Sequence, residues 1–396
     1  MIIASGVMPG PSGVGRLVEQ LRAERDERGL DDIRFLFGAT GTHLGKAVRG
    51  RDYTGILRRS ANLALGYGRL GAALVDPAFS DPSNPLVLIH QQTLGRFWVK
   101  SILARRKAPV VLYMMDNAFF CIRSYNHITN EDRPCLKCLG QHYEQARLNG
   151  CRVYPRSSLG IRGQIQDLAA WAKRGKVRFL AQTEGQRWML QQQFGNDVLI
   201  EVIGLWTKDF PRVEAITPTG KIGTCEYDVV FHGNPSSAKG FYWAIELASK
   251  IPDIKFIFPT FQPNELPSRK PLPLNVSFRP MNWESGLNDL VRDAALVLNP
   301  SLWSAPIEGA LVKSIIHGRR VAVVKTNTSW SAELPENLML HLSNDPAVAA
   351  VQVKDYLNNP QPLDHNAKQA WYENFNGNNS SFLLRLVKAV ERISSY

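Results

Sequence analysis

Three short loops of this sequence combine glycine, lysine and carboxylate side chains in ways that suit the binding of an anion beside hydroxyl groups. The first, MPGPSGVGRLVEQL (8–21), places Gly13 and Gly15 ahead of a helical pattern. Glycines there let the backbone approach a ligand, and the first amides of the helix are free to meet a negative group. The second, HGNPSSAKGFYWAIEL (232–247), carries Gly233, Asn234, Lys239 and Gly240 at the entrance to a helix. A lysine beside helix-terminal amides can clamp a diphosphate. The third, NPSLWSAPIEGALVKSIIHGRRVAVV (299–324), has a Pro-Ser turn at Ser301 and delivers Glu308 to a helix start, with Gly309 and Ala310 behind it. Those amides suit a phosphate, and the carboxylate suits ligand hydroxyls. Lys313 follows Glu308 by five residues, roughly 140° round a helix at 100° per residue, so the spacing does not bring the two to one ligand atom by itself. Asp116 ends the apolar run VVLYMMD and His90 ends PLVLIH; a carboxylate or imidazole at a strand end can orient a reacting hydroxyl or accept its proton. Each residue also has a plainer use. Glu308 near a helix start, for example, is stabilised by the dipole by about 0.3–1 kcal/mol without any ligand.

Four of the five cysteines are local: Cys121, Cys135, Cys138 and Cys151. Their spacing, C-x13-C-x2-C-x12-C, matches a structural zinc site in which four thiolates surround the ion, with His127 or His142 able to replace one ligand. The plainer reading is a set of reduced, partly buried thiols. Cys225 stands apart and reads as structural.

Positioning these loops requires a scaffold of buried strands. Short β-branched runs occur at 1–5, 33–38, 85–90, 108–115, 176–182 and 198–204, alternating with helical patterns, which predicts a parallel sheet. VGRLVEQLRAERDERG (14–29) is amphipathic and closes on Gly29; TEGQRWMLQQQFG (183–195) opens with Thr183 as N-cap and Gln186 three residues on. The alternation restarts with strands at 227–233, 254–260, 275–280, 294–298 and 321–324, and helices at 239–251, 284–294 and 309–318. The expected fold class is therefore α/β, with two doubly wound Rossmann-like domains facing a cleft. The expected boundaries are 1–205, with a Cys-rich insertion at 121–151, then 206–375, then a terminal helix over 376–396 that crosses back to the first domain. The seam falls near 204–225, where Pro211, Pro218 and Gly220 break both periodicities. At 396 residues the chain is long enough for two such cores.

The net charge of +12 is uneven. Residues 1–200 hold 28 Lys+Arg against 16 Asp+Glu, whereas 201–396 hold 19 of each. A basic first half suits an anionic partner, whether a phosphorylated substrate or an anionic membrane leaflet, with clusters at Arg58-Arg59, Arg105-Arg106-Lys107 and Lys173-Arg174. No nucleic-acid-binding motif accompanies it, so no nucleic acid is expected. MIIASGVMPG lacks the apolar core of a signal peptide, and no run approaches the 18 or so apolar residues of a spanning helix. A cytoplasmic protein, reaching a membrane at its inner face if at all, is the expectation.

With these residues in view, the chain resembles the GT-B glycosyltransferases, in particular the retaining family 4. SGVGRLVEQL is similar to that family's first glycine loop, VLYMMDN to its strand end, and VIGLWTKDF to the stretch leading into its second domain. FHGNPSSAKGF resembles the phosphate-binding segment, and NPSLWSAPIEGALVKSIIHGRRVAVV the donor segment. A Cys and a CxxC after the Asp strand occur in some members. The resemblance implies a nucleotide-diphosphate sugar held by the second domain, a glycan or lipid-linked glycan acceptor on the first, no catalytic metal, and a place in surface polysaccharide biosynthesis. On it, Asp116 and Glu308 are the catalytic residues. Gly233, Asn234, Lys239, Gly240, Ser301, Gly309, Ala310 and Lys313 bind the donor, and Gly13, Gly15 and His90 shape the acceptor side. This chain departs from the family pattern at four points. Lys313 stands where the second glutamate, the ribose binder, is expected, Ala305 stands for the first, Asn234 for an arginine, and Met115 for the histidine before Asp116. The alternative that these departures raise is a non-catalytic GT-B-like subunit that binds a glycan or a partner enzyme.

Overall fold

The computed structural model describes residues 1–10, 12–37, 53–128, 131, 133–153, 160–207, 210, 225–264, 266, 270–360, 365–379 and 381–395. The seam expected near 204–225 and the Arg58-Arg59 side chains lie largely outside them. The chain forms two compact units: Met1–Tyr125 with Leu136–Lys208 and Asn379–Tyr396, and Asn126–Cys135 with Asp209–Asn378.

Each unit is built on a six-stranded parallel sheet. In the first, β1 (Ile2–Ser5), β2 (Arg34–Phe37), β3 (Leu86–Ile89), β4 (Val110–Tyr113), β7 (Val177–Ala181) and β8 (Ile200–Val202) run in the order β2-β1-β3-β4-β7-β8. Between β4 and β7 the chain makes an antiparallel ribbon, β5 (His127–Ile128) with β6 (Arg133–Pro134), which belongs to the second unit. In that unit β9 (Val229–Phe231), β10 (Phe256–Phe258), β11 (Val276–Phe278), β12 (Leu296–Asn299), β13 (Val321–Val324) and β14 (Met339–Leu342) run β11-β10-β9-β12-β13-β14. The sheet is α/β and doubly wound in both units.

The apolar runs become strands because helices cover both faces of each sheet. Every residue of β1, β3, β4 and β13 is buried, as parallel strands without a wet face require. Two separate cores result. One is centred on Leu88, Leu112 and Phe179, the other on Phe231, Phe258, Trp243 and Leu298. Helix ends follow local chemistry. Ser12 Oγ accepts the Gly15 amide at the start of helix Gly13–Glu27, and Thr183 Oγ1 accepts the Gln186 amide at the start of Glu184–Phe194. The Gln186 side chain reaches back to the Gln182 amide, one residue before the cap. The final helix, Phe382–Ser394, buries Phe382, Leu383, Leu386, Val390 and Ile393 in the first unit, and its Leu383 amide donates to Glu24 Oε2.

Strand order fixes where loops gather. In the first sheet the chain goes from β1 to β2 on one side, then returns to β3 on the other. In the second it goes from β9 through β10 and β11, then crosses to β12 on the opposite side of β9. The reversal points, β1/β3 and β9/β12, are where open α/β sheets bind ligands at the strand C-termini.

No described helix is long and apolar enough to cross a membrane. Of the basic clusters, Arg106 is withdrawn from the surface. Its guanidinium is buried and donates to the carbonyls of Phe79, Asp81 and Asn84, so it ties a loop rather than meeting an external anion. Lys173 and Arg174 are exposed.

Candidate active site

At the β9/β12 reversal the two loops are locked together. The Leu302 amide donates to Ala238 O (2.8 Å), and Gly240 sits against Pro300. A Cβ at Gly240 would stand 2.0 Å from Pro300 O, and its φ of +71° is left-handed. Gly240 is therefore a packing and turning residue. Lys239 precedes it as the last residue of the short turn Ser237–Lys239. Asn234 is exposed, and its carbonyl accepts the Ser236 amide.

Lys239 Nζ forms an ion pair with Glu308 Oε1, and Ser301 Oγ donates to Glu308 Oε2 (2.7 Å). The ammonium also lies 4.7 Å from the ring centroid of Trp303. The Pro-Ser turn, the helix-start carboxylate and the lysine of the other loop thus converge on one point, drawn together by the strand order rather than by sequence proximity. Burial pushes the Lys239 ammonium down to about 7, against the attraction of the carboxylate touching it. Glu308 does not cap helix Gly309–His317, because its side chain is turned to Lys239 and Ser301. Gly318 stops that helix in an extended conformation (φ −74°), and a Cβ there would press on Ser314 O at 2.6 Å.

Lys313, on the same helix, does not join this cluster. Its Nζ lies 4.8 Å from the centroid of Trp283, a ring that also stacks on His232. Trp283, Trp303 and His232 were not among the residues expected to serve here. Their signal in the sequence was position alone: His232 directly follows β9, and Trp303 lies two residues after Ser301.

The first unit repeats the device at β1/β3. Gly6, not singled out from the sequence, is pressed against the loop after β3; a Cβ would stand 2.1 Å from Thr93 Oγ1 and 2.6 Å from His90 O. His90, with φ +55°, begins that loop. Its Nδ1 lies 2.9 Å from Thr93 Oγ1, and that hydroxyl donates to His90 O (3.0 Å), so Nδ1 is the donor. Its Nε2 faces Asp116 Oδ2 at 3.4 Å, a charged pair only when the ring is protonated. The second Asp116 oxygen accepts the Ala118 amide (2.8 Å). Asp116 therefore serves its turn and its histidine together. The glycine loop is less open than its sequence implies. The Gly15 amide is taken by Ser12, and the missing Cβ of Gly15 leaves room for Gly10 O and Met8 O. Gly13 has open space beside it.

Among the described residues, no three His, Cys, Asp or Glu side chains are grouped so as to hold a metal ion. Cys138 and Cys151 pack against the apolar cluster of Ile122, Ala146, Ile161 and Ile165.

Solved structures share this architecture over the whole chain. Sucrose-phosphate synthase from Thermosynechococcus elongatus superposes with a TM-score of 0.58 at 10% identity, covering 99% of this chain and 98% of that one. Anabaena HepE, solved in complex with UDP-glucose, gives 0.57 at 16% identity, covering 100% and 99%. The UDP-forming α,α-trehalose-phosphate synthase from Burkholderia vietnamiensis gives 0.54 at 11%, covering 100% and 99%. The chain has the GT-B fold. At these identities the likeness is one of fold. No family model matches the chain, and no curated protein does.

Proposed function

We propose that this protein is a glycosyltransferase that moves a sugar from a nucleotide-diphosphate donor to a glycan or lipid-linked glycan, in surface polysaccharide assembly. The observation that carries the reading is the convergence of Lys239, Glu308 and Ser301 at the β9/β12 reversal. HepE, of the same fold, has been solved with UDP-glucose.

In this reading the ion pair exchanges partners. The diphosphate competes for the Lys239 ammonium, joined by the first amides of helix Gly309–His317, where the dipole favours negative charge. Charge building on the leaving oxygen then meets a cation already in place, so no reorganisation is needed as the bond breaks. Glu308, released from Lys239, accepts hydrogen bonds from donor hydroxyls. In the first unit, Asp116 and His90 hold the acceptor hydroxyl, with the Gly13–Gly15 loop beside them. The positive charge that the leaving group needs comes from a side chain. The excess of basic residues in the first half suits a phosphorylated acceptor or an anionic leaflet at the inner face of a membrane.

Calorimetry against nucleoside diphosphates and their sugars, followed by transfer assays with the best binder, tests the reading. Lys239→Ala and Glu308→Ala are each expected to slow transfer by about 10²–10³-fold. Near wild-type rates in both variants would remove these roles, and a chain that binds no nucleotide would be the non-catalytic subunit instead.

A further inference from the structure

A second group of side chains lies at the C-terminal end of β9, and the mechanism above does not use it. Trp283, in the kinked turn Trp283–Leu287 after β11, is its hub. His232 stacks on the indole with centroids 5.6 Å apart and planes at 17°. Lys313 Nζ stands 4.8 Å from the same centroid, and His317 lies 5.3 Å away at 56°. Lys313 and His317 are one helical turn apart, on one face of helix Gly309–His317. Trp283, Lys313 and His317 are half-buried, so a ligand can reach them.

Hydrogen bonding fixes the tautomer of His232. Ser314 Oγ donates its proton to Ala310 O (2.8 Å) and accepts from Asn299 Nδ2 (3.0 Å). His232 Nδ1, 2.8 Å from the same oxygen, must therefore be the donor, which leaves Nε2 as the group that can take up a proton. Among the described residues, the groups that lower the two imidazoles are Lys313 and His317 for His232, and Lys368, Lys313 and Arg292 for His317. Of these, Arg292 is matched by Asp289 and Asp293, and Lys368 donates to Gly318 O. Burial, then the neighbouring cations, push His232 down to about 3 and His317 to about 4, so both rings are neutral at pH 7. In other doubly wound sheets the residue near the ribose sorts ligands by charge, a carboxylate taking free hydroxyls and a cation taking a phosphate.

We propose that Lys313, Trp283, His232 and His317 form a second anion subsite, which holds a phosphate or carboxylate that the sugar donor carries in addition to its diphosphate. The choice of donor rests on the glycosyl-transfer reading; the anion subsite itself does not. Lys313 supplies the fixed charge and the indole holds it in place. An arriving anion offsets the surrounding cations and so removes that part of the depression on both rings.

Calorimetry on the full chain tests this with two matched pairs. Adenosine 3′,5′-bisphosphate against AMP asks about a phosphate on ribose. UDP-glucuronic acid against UDP-glucose asks about a carboxylate on the sugar. In one pair the anion-bearing member is expected to bind about tenfold tighter. Lys313→Gln should erase that preference without weakening the other member, and Lys313→Arg should keep it. The responding pair identifies where the anion sits. Equal affinities within both pairs, or a preference that survives Lys313→Gln, would overturn the proposal while leaving the Lys239 site intact. If no nucleotide binds, inorganic phosphate is the probe. Shifts of the His232 and His317 ring signals in NMR, absent in Lys313→Gln, would support the subsite without the donor reading, and no shift would overturn it.

Discussion

Lys239 illustrates how a residue's environment sets its chemistry. Its ammonium is pushed from the ordinary 10.5 to about 7 by burial. The charged form is therefore present below about pH 7 and lost above it. Binding of a nucleoside diphosphate should weaken as pH rises from about 6 to 8.5, followed by calorimetry at constant ionic strength. Glu308→Gln removes the competing carboxylate, so diphosphate binding should tighten by about tenfold while transfer slows. A flat pH profile together with unchanged affinity in Glu308→Gln would remove the exchange of partners. The sign for stability is opposite to that for binding. Between about pH 7 and 10.5 the unfolded chain holds this proton and the folded chain does not, so this group adds stability as pH rises through that window. The sequence showed Lys239, Glu308 and Ser301 as members of two loops but not as one cluster, because 69 residues separate the lysine from the carboxylate. Trp283 and His232 left no chemical signature, since an aromatic after a strand reads as core until its neighbours are known.

Elements were more legible than contacts. Each strand expected from an apolar run is present; β1, β3, β4, β12 and β13 are buried throughout, and a strand buried on both faces needs a continuous run. β14 and the β5/β6 ribbon were not anticipated: β14 follows two short turns rather than a helix, and the ribbon strands have two residues each. The tight loop junctions were partly legible. Gly240 stood out before a helix, but Gly6 did not, because the need for it comes from a loop more than eighty residues away in sequence. Gly240→Ala should be destabilising by about 2–5 kcal/mol, combining left-handed strain with a clash against Pro300 O. Thermal melting should show the loss. A melting temperature within a degree of the parent would mean that the Gly240–Pro300 junction relaxes freely.

For the whole molecule, chain order and spatial grouping disagree in two places. The ribbon Asn126–Cys135 counts with the second unit although first-unit residues flank it, and Asn379–Tyr396 returns to the first. Asn126 anchors the ribbon through both ends of its amide, donating to Ser304 Oγ (2.7 Å) and accepting from Ser304 N (3.0 Å). The terminal helix is no ornament to the first unit. Phe382, Leu383, Leu386, Val390 and Ile393 are buried there, at roughly 1.5–3 kcal/mol each, a sum comparable to the 5–15 kcal/mol that holds a typical domain together. Removing residues 382–396 should abolish amide protection in β1, β3, β4 and β7 while β9–β13 keep theirs, as read by hydrogen exchange with mass spectrometry. Retained protection in the first sheet would show that the helix is dispensable.

The same path has a consequence for biosynthesis. A chain made from its N-terminus onward emerges from the ribosome with its first sheet complete by about residue 202, yet without the terminal helix that packs at its β8 edge. The residues of that helix are translated only after the entire second sheet. During that interval the apolar surface that this helix buries, beside helix Gly13–Glu27 and β8, stays uncovered while the second sheet, which already has its ribbon, can close. The order of completion is then the reverse of the order of translation, and the nascent first unit is the stage at which a chaperone has most to hold.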